Sequence, residues 1–114
     1  MDIYCERPWG SYTNLIDEEY TKVKKIVIHK GESPSYQYHH KRSEIWIIVK
    51  GKAEVKIDNV LTKHEVGEVV RIPIKAAHQV RNIGEDELVF IEVQLGEYFG
   101  EDDIVRLEDK YGRI

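Results

Sequence analysis

The sequence predicts an all-β domain, folded as a sandwich or barrel, and three observations lead to this fold class. Residues 52–58 (KAEVKID) alternate strictly between apolar and charged side chains, which is typical of a strand with one buried face. Short segments rich in β-branched residues follow one another, and glycine or proline separates them as turns require. No long segment has the 3.6-residue apolar period of a helix.

Composition narrows the class of protein. The length of 114 residues suits one domain, and 41% hydrophobic with 33% charged residues is typical of a globular chain. The formal net charge of -4 argues against a broad nucleic-acid surface. Cys5 is the single cysteine, so no disulfide forms within the chain, and the N-terminus lacks the apolar run of a signal peptide. We therefore expect a cytoplasmic protein with no nucleic-acid or membrane partner.

The chain is predicted to form one domain with an N-terminal arm (1–19), a barrel (20–96) and a tail (97–114). Barrel strands are expected where apolar and β-branched residues alternate with polar ones between turn signals. They are, in order, YTKVKKIVIHK (20–30), YQYH (36–39), SEIWIIVK (43–50), KAEVKID (52–58), EVVRIPIK (68–75), HQVRN (78–82) and ELVFIEVQL (87–95). In the arm, Trp9 is expected to close the end of the core.

The tail differs in composition and is predicted to be a short helical segment. Asp102 or Asp103 is a candidate N-cap for one or two helical turns. Ile104 and Leu107 would lie on one face of those turns, which are expected to end near Gly112.

Four polar residues carry the strongest chemical signal. Gln37 and His39 lie two apart in a predicted strand and so share a face. If residues 40–43 form a hairpin turn, Glu44 returns beside them, and His78 begins a later strand. Two imidazoles, a carboxylate and a carboxamide oxygen suit a divalent metal ion, with Zn, Mn, Co, Fe and Ni all left open.

Two segments around these residues resemble the cupin motifs. Residues 31–51 fit Gly-x5-Gln-x-His-x4-Glu-x6-Gly, and residues 67–82 fit Gly-x5-Pro-x4-His-x3-Asn, with Gln37 where the first histidine usually stands. More narrowly, RPWGSY, QYHHKRSEIW and EVQLGEYFGEDDIVRLEDKYGR resemble the type II mannose-6-phosphate isomerase cupins. The similarity extends over nearly the whole chain and includes the C-terminal cupin domain of bifunctional isomerase/guanylyltransferases.

The resemblance implies a fold, a cofactor and an activity. The fold is a double-stranded β-helix, a jelly-roll-like barrel, with one metal ion held at the positions of Gln37, His39, Glu44 and His78. The activity is interconversion of mannose 6-phosphate and fructose 6-phosphate, which feeds nucleotide-mannose or polysaccharide synthesis. Guanylyl transfer is not expected, because no glycine-rich nucleotide-binding segment precedes the cupin motifs. Family members are commonly dimeric, so a homodimer is expected.

Three positions depart from the family pattern. Ile45 stands where a histidine usually follows the glutamate, Tyr36 where leucine is common, and Lys75 where glycine is usual. Ile45 motivates an alternative function, a non-catalytic module that binds a phosphosugar or nucleotide sugar beside a separate guanylyltransferase. A third possibility is oxygen chemistry, because two histidines and a carboxylate also describe a non-haem iron site.

The isomerase reaction requires a base and groups that bind the substrate. A proton moves between C2 and C1 through a cis-enediol, and His40 and Glu92 are the candidate bases. Glu92 and Gln94 share one face of a predicted apolar strand, which indicates an inward polar pair that could also contact substrate.

The phosphate of the substrate calls for cations. Arg42 is the first candidate for binding the phosphate, because the matching arginine belongs to the family motif. It is therefore both a catalytic and a substrate-binding candidate. The next candidates for binding the phosphate are Arg81 and Lys75, which flank His78 in the sequence. Arg106 and Arg113 would contribute only if the tail folds back onto the barrel.

Overall fold

The structure, a computed structural model, describes residues 3–109 and consists of two antiparallel β-sheets packed face to face. The six-stranded sheet has the order β1-β2-β3-β10-β5-β8, and the five-stranded sheet has the order β11-β4-β9-β6-β7. The strands are β1 (Tyr4–Arg7), β2 (Gly10–Asp17), β3 (Thr21–Ile28), β4 (Tyr36–His39), β5 (Arg42–Lys50), β6 (Ala53–Ile57), β7 (Val60–His64), β8 (Val69–Ile72), β9 (His78–Asn82), β10 (Leu88–Gly96) and β11 (Ile104–Glu108). The predicted all-β cupin barrel is confirmed.

Alternation along each strand builds the core between the sheets. One side chain in two points inward, and the buried apolar residues include Ile28, Trp46, Val55 and Phe90. Trp9 belongs to the same core, as predicted. Within the described residues, no helix is long and apolar enough to cross a membrane.

The N-terminal segment extends the larger sheet. The strands β1 and β2 form a hairpin in which Arg7 is opposite Gly10. The second strand pairs with β3 over most of its length, from Gly10 opposite Ile28 to Asp17 opposite Lys22. The segment expected as an arm is therefore continuous with the barrel wall, and its exposed Arg7 borders the cavity between the sheets.

The helical prediction for the tail is wrong. Helical geometry is confined to a single 3-10 turn at Glu101–Asp103, and residues 104–108 form β11. This strand pairs with β4, with Ile104 opposite His39 and Arg106 opposite Gln37. Pairing satisfies backbone groups along an edge of β4 that would otherwise be open, which outweighs the local preference for a capped helix. Gly112 and Arg113 lie outside the described residues.

The predicted hairpin turn at residues 40–43 is also wrong. The strands β4 and β5 belong to different sheets, so the chain crosses from one sheet to the other at His40 and Lys41. His39 and Glu44 consequently face each other across the barrel interior rather than lying side by side on one sheet. The predicted meeting of these two side chains occurs by this different route.

Candidate functional site

Three buried side chains from three strands converge between the sheets. His39 ends β4, Glu44 lies in β5 and His78 begins β9. Their potential ligand atoms all lie within 4.8 Å of one another. Glu44 Oε2 is 3.2 Å from His39 Nε2, and Glu44 Oε1 is 4.0 Å from His78 Nε2. Donor atoms around an ion with bonds of about 2.1 Å are roughly 3.0–3.4 Å apart, so small adjustments would accommodate a divalent metal.

One of the two imidazoles has the outer hydrogen bond typical of a metal ligand, whereas Nδ1 of His39 is buried without a hydrogen-bond partner among residues 3–109. His78 Nδ1 donates to the carbonyl oxygen of Ala76 at 3.0 Å, which leaves the lone pair on Nε2, facing Glu44. Burial lowers the pKa of His78, although Glu44 offsets part of this effect, so the ring is neutral at pH 7. His39 Nε2 lies 3.2 Å from Glu44 Oε2 and 3.3 Å from Arg42 Nη2, so this nitrogen faces the centre of the cluster.

Glu44 is the anionic centre of the cluster. Arg42 Nε donates to Oε2 at 3.0 Å, and Trp46 Nε1 donates to Oε1 at 2.9 Å. Burial raises the pKa of Glu44, but the hydrogen bond with His39 and Coulomb interactions with His78 and Arg42 outweigh burial and hold this pKa well below 4.5. Glu44 is therefore ionised at neutral pH, as a metal ligand must be.

Gln37 reaches the same site from β4. It is opposite His78 on the neighbouring strand and lines the cavity beside the cluster. Its Oε1 accepts a hydrogen bond from Ser35 Oγ at 2.8 Å, which orients the carboxamide. Three residues of the predicted ligand set thus converge, and the fourth, Gln37, lines the cavity beside them.

A cavity of about 150 Å³ opens beside the cluster. Glu92 lines it, and the fully buried Gln94 donates from Nε2 to Glu92 Oε2 at 2.8 Å. Burial, reinforced by the negative charge of Glu44, raises the pKa of Glu92 to about 8. Two neighbouring carboxyl groups therefore have pKa values pushed in opposite directions, an arrangement typical of acid–base sites.

The other predicted catalytic and substrate-binding residues have different positions. Arg42 is buried in the cavity wall, where its guanidinium contacts Glu44, His39 and the carbonyl oxygen of Phe99. His40, Lys75 and Arg81 are exposed and do not line this cavity. Arg81 instead donates to Glu54 at 2.8 Å on the outer surface.

Ile45 also lies away from the cavity. Glu44 and Trp46 both line the cavity, so strand alternation directs the intervening side chain to the outer face of the sheet. Ile45 is opposite Val93 on the neighbouring strand, and neither residue lines the cavity. The departure from the family pattern at position 45 therefore changes the outside of the barrel.

Lys75 has a left-handed backbone, with a φ of 66°, which explains why glycine is usual at this position. We expect Lys75→Gly to raise the free energy of unfolding by about 0.5–1 kcal/mol, because relief of the backbone strain exceeds the extra entropy of the unfolded chain. Chemical denaturation of the two proteins measures this difference. A drop in substrate affinity for Lys75→Gly would instead support the predicted role of Lys75 in binding.

Two cationic residues of the cavity wall were not predicted as site residues from the sequence. Lys24 on β3 is 4% exposed and lines the cavity, as does Arg7 on β1. A signal for Lys24 was present, because it alternates with Ile26 and Ile28, the buried residues of its strand. Arg7 lies on a short edge strand with no apolar alternation. Arg106 also lines the cavity, because β11 folds back against the barrel.

The segment after β10 fixes the turn between two predicted ligands. The Asp103 carboxylate accepts hydrogen bonds from the backbone amides of His40 and Lys41, at 3.2 and 3.0 Å. Gly96, opposite Arg42 on β5, passes so close to Lys41 that a Cβ at Gly96 would lie 2.2 Å from the Lys41 carbonyl oxygen. These contacts hold the chain rigidly between His39 and Arg42.

Comparisons with known proteins show what this chain is similar to. Residues 1–109 match the family model described as mannose-6-phosphate isomerase C-terminal. The alginate biosynthesis protein AlgA of Pseudomonas putida is 45% identical over 113 residues, which cover 99% of this chain and 23% of the relative. The mannose-1-phosphate guanylyltransferase ManC of Salmonella typhimurium is 43% identical over 108 residues, 95% of this chain and 22% of the relative. The chain thus spans less than a quarter of these relatives.

Two solved structures illustrate proteins whose folds are similar to that of this chain. The cupin domain of Cnp3 from Schizosaccharomyces pombe aligns with a TM-score of 0.74 at 16% identity, covering 75% of this chain and 64% of that one. The capsular polysaccharide assembling protein CapF from Staphylococcus aureus aligns with a TM-score of 0.78 at 25% identity, covering 92% of this chain and 32% of that one. These similarities support the fold.

Proposed function

We propose, from the premise that this chain belongs to the mannose-6-phosphate isomerase C-terminal family, that it is a metal-dependent isomerase of mannose 6-phosphate and fructose 6-phosphate. The observation that carries the proposal is the buried His39–Glu44–His78 cluster beside a cavity that also contains Glu92. Because relatives are named for alginate and xanthan biosynthesis, the product is proposed to feed polysaccharide synthesis.

The proposed base is Glu92. It is buried in the cavity wall, where Gln94 Nε2 donates to its Oε2 and the Glu44 carboxylate lies close enough to affect its protonation. Its raised pKa of about 8 matches a group that must both accept and return a proton near neutral pH. His40 is less suited to this role because it is exposed and outside the cavity lining.

The proposed metal ligands are His39, Glu44 and His78, with Gln37 as a fourth, weaker donor. A divalent ion held by these residues supplies positive charge to the oxygens that become negative in the enediol. Arg42 and Trp46 hold the Glu44 carboxylate in place through their hydrogen bonds, and Ala76 holds the ring of His78. These supporting contacts keep the ligands aligned while substrate enters the cavity.

A direct assay tests the proposal. Purified chain supplied with Mn, Co or Zn is expected to convert mannose 6-phosphate to fructose 6-phosphate in a coupled assay. The double variant Gln37→Ala/His39→Ala is expected to lose at least about 100-fold in rate, because two ligand positions are removed. Arg81→Gln is the control, since Arg81 binds Glu54 outside the cavity. Turnover no greater than that of the double variant would reject the isomerase proposal.

A second candidate function is a phosphosugar or nucleotide-sugar binding module that acts with a separate guanylyltransferase. The observation that favours it is the similarity of this chain to relatives named as mannose-1-phosphate guanylyltransferases. Calorimetry that detects binding of mannose 6-phosphate or GDP-mannose, together with no isomerisation under any metal, would support this function instead.

A further inference from the structure

The cavity wall is positive although the chain as a whole is negative. Among the described residues that line it, the four cations are Arg7, Lys24, Arg42 and Arg106, and the two carboxylates are Glu44 and Glu92. The whole chain has a formal net charge of -4. A concave surface with this local excess of positive charge concentrates anions against the sign of the rest of the molecule.

Arg42 is the cation most firmly committed to the metal cluster. Its Nε donates to Glu44 at 3.0 Å, its Nη2 lies 3.3 Å from His39 Nε2, and its Nη1 contacts the Phe99 carbonyl oxygen at 3.4 Å. Binding a phosphate would require Arg42 to give up contacts that orient two metal ligands. Its geometry therefore suits a positioning residue.

Arg7 and Lys24 gather around one aromatic ring on the six-stranded sheet. Lys24 Nζ lies 4.2 Å from the centroid of Tyr12, and Arg7 Cζ lies 5.0 Å from it. Arg7 Nη2 also donates to the Tyr12 hydroxyl at 3.0 Å. Lys24 is also opposite the Glu92 carboxyl on β10. Two positive charges near one ring repel each other, and a bound anion beside them would offset that repulsion.

Arg106 enters the cavity from the five-stranded sheet. It is opposite Gln37 on β4, so it lies beside the predicted metal ligand. Its Nε is buried and has no hydrogen-bond partner within residues 3–109. A buried charged donor without an acceptor is costly, and a phosphate oxygen is the acceptor that a guanidinium binds best.

We propose that Arg7, Lys24 and Arg106 form the subsite for the phosphate group, and that Arg42 positions Glu44 and His39 instead of binding phosphate. The identity of the sugar rests on the proposed function, whereas the recognition of a phosphate group does not. Cations from β1, β3 and β11 would then hold the phosphate end of the substrate while the sugar carbons extend toward Glu92 and the metal cluster.

Titration calorimetry with inorganic phosphate and with mannose 6-phosphate tests the assignment. We expect Arg106→Gln and Arg7→Gln each to weaken binding of both probes about 10-fold, because each removes a charge-assisted hydrogen bond. Arg106→Lys, which keeps the charge, should recover part of the affinity. Arg81→Gln is the matched control, because Arg81 is an exposed arginine of the same five-stranded sheet and is paired with Glu54.

Backbone amide spectra of the unaltered full chain give a measurement that needs no variant. Phosphate is expected to shift the amides of Arg7, Lys24 and Arg106 more than the amide of Arg81. Unchanged affinity in both Arg106→Gln and Arg7→Gln, or no phosphate binding at millimolar concentration, would overturn the subsite. If phosphate binds through these residues but no isomerisation occurs, the isomerase proposal fails and the subsite stands.

Discussion

Replacing Glu44 with glutamine is expected to lower the affinity for a divalent metal by at least about 100-fold and to abolish isomerisation. Glutamine preserves the shape of the side chain but removes the negative charge that Oε2 presents to His39 and Arg42 and that Oε1 presents to His78. Removing one partner of a buried ion pair leaves the charge of Arg42 poorly compensated, so the free energy of unfolding should fall by about 3 kcal/mol as well.

Metal analysis of the purified proteins and chemical denaturation at pH 7 measure the two effects of Glu44→Gln. Glu54→Gln is a matched control, because Glu54 forms an ion pair with Arg81 whose arginine is exposed. A surface pair of this kind contributes at most about 1 kcal/mol. Equal metal content in Glu44→Gln and the unaltered chain would show that Glu44 is no ligand.

The sequence revealed most of the candidate metal site because its residues lie on strands with clear alternation. Gln37 and His39 share a face by period two, and His78 begins a strand that follows a proline turn. The route by which Glu44 meets them was not predictable in the same way. Whether two consecutive strands pair in one sheet or cross between sheets depends on their partners elsewhere in the chain, here β10 and β8 for Glu44 on β5.

The tail was misread for a related reason. A five-residue segment such as residues 104–108 contains too few apolar positions to distinguish a helical period from a strand. Its strand conformation is set by β4, about 65 residues away in sequence, which offers an open edge. Strand β7 was missed because residues 60–63 are all exposed and show no buried alternation. It is determined by the turn at Asp58 and Asn59, which have φ values of 46° and 69° and direct the chain back along β6.

Local sequence pattern identifies only some of the cations that line the cavity. Lys24 shares the buried face of Ile26 and Ile28, so alternation alone could have identified it as an inward lysine. Arg106 could not be found this way, because β11 reaches the cavity through long-range pairing with β4. Arg7 could not be found either, because it lies on a short edge strand with no apolar alternation. Local pattern predicts the face of a strand, whereas neighbours in the sheet decide which cavity that face meets.

Replacing Glu92 with glutamine is expected to reduce kcat by about 10²–10⁴-fold, because the proposed base for the proton at C1 and C2 is removed. The affinity for mannose 6-phosphate should change little, since glutamine keeps the size of the side chain. Metal content should also be retained, because Glu92 lies outside the His39–Glu44–His78 cluster. Steady-state kinetics and metal analysis of the same preparation separate these effects.

The raised pKa of Glu92 leads to a prediction of how the free energy of unfolding of the metal-free chain depends on pH. The unfolded carboxyl ionises near 4.5, whereas the pKa in the folded chain is about 8. Between these values the unfolded state binds fewer protons, so the free energy of unfolding falls as pH rises and levels off above about 8. The lowered pKa of His78 has the opposite effect, but only about 0.4 kcal/mol of that effect remains above pH 6.5.

Between pH 6.5 and 8, the ionisation of Glu92 is therefore the main cause of the pH dependence of the unfolding free energy. Ionisation of Glu92 is expected to remove about 1.6 kcal/mol of unfolding free energy from the unaltered metal-free chain across this interval, a loss that Glu92→Gln should not show. Glu97→Gln is the control, because Glu97 is exposed beyond the end of β10. A slope in Glu92→Gln equal to that of the unaltered chain would mean that Glu92 ionises normally in the folded protein. The carboxyl group would then lack the proton affinity that the proposed acid–base role requires, and the isomerase would need a different base.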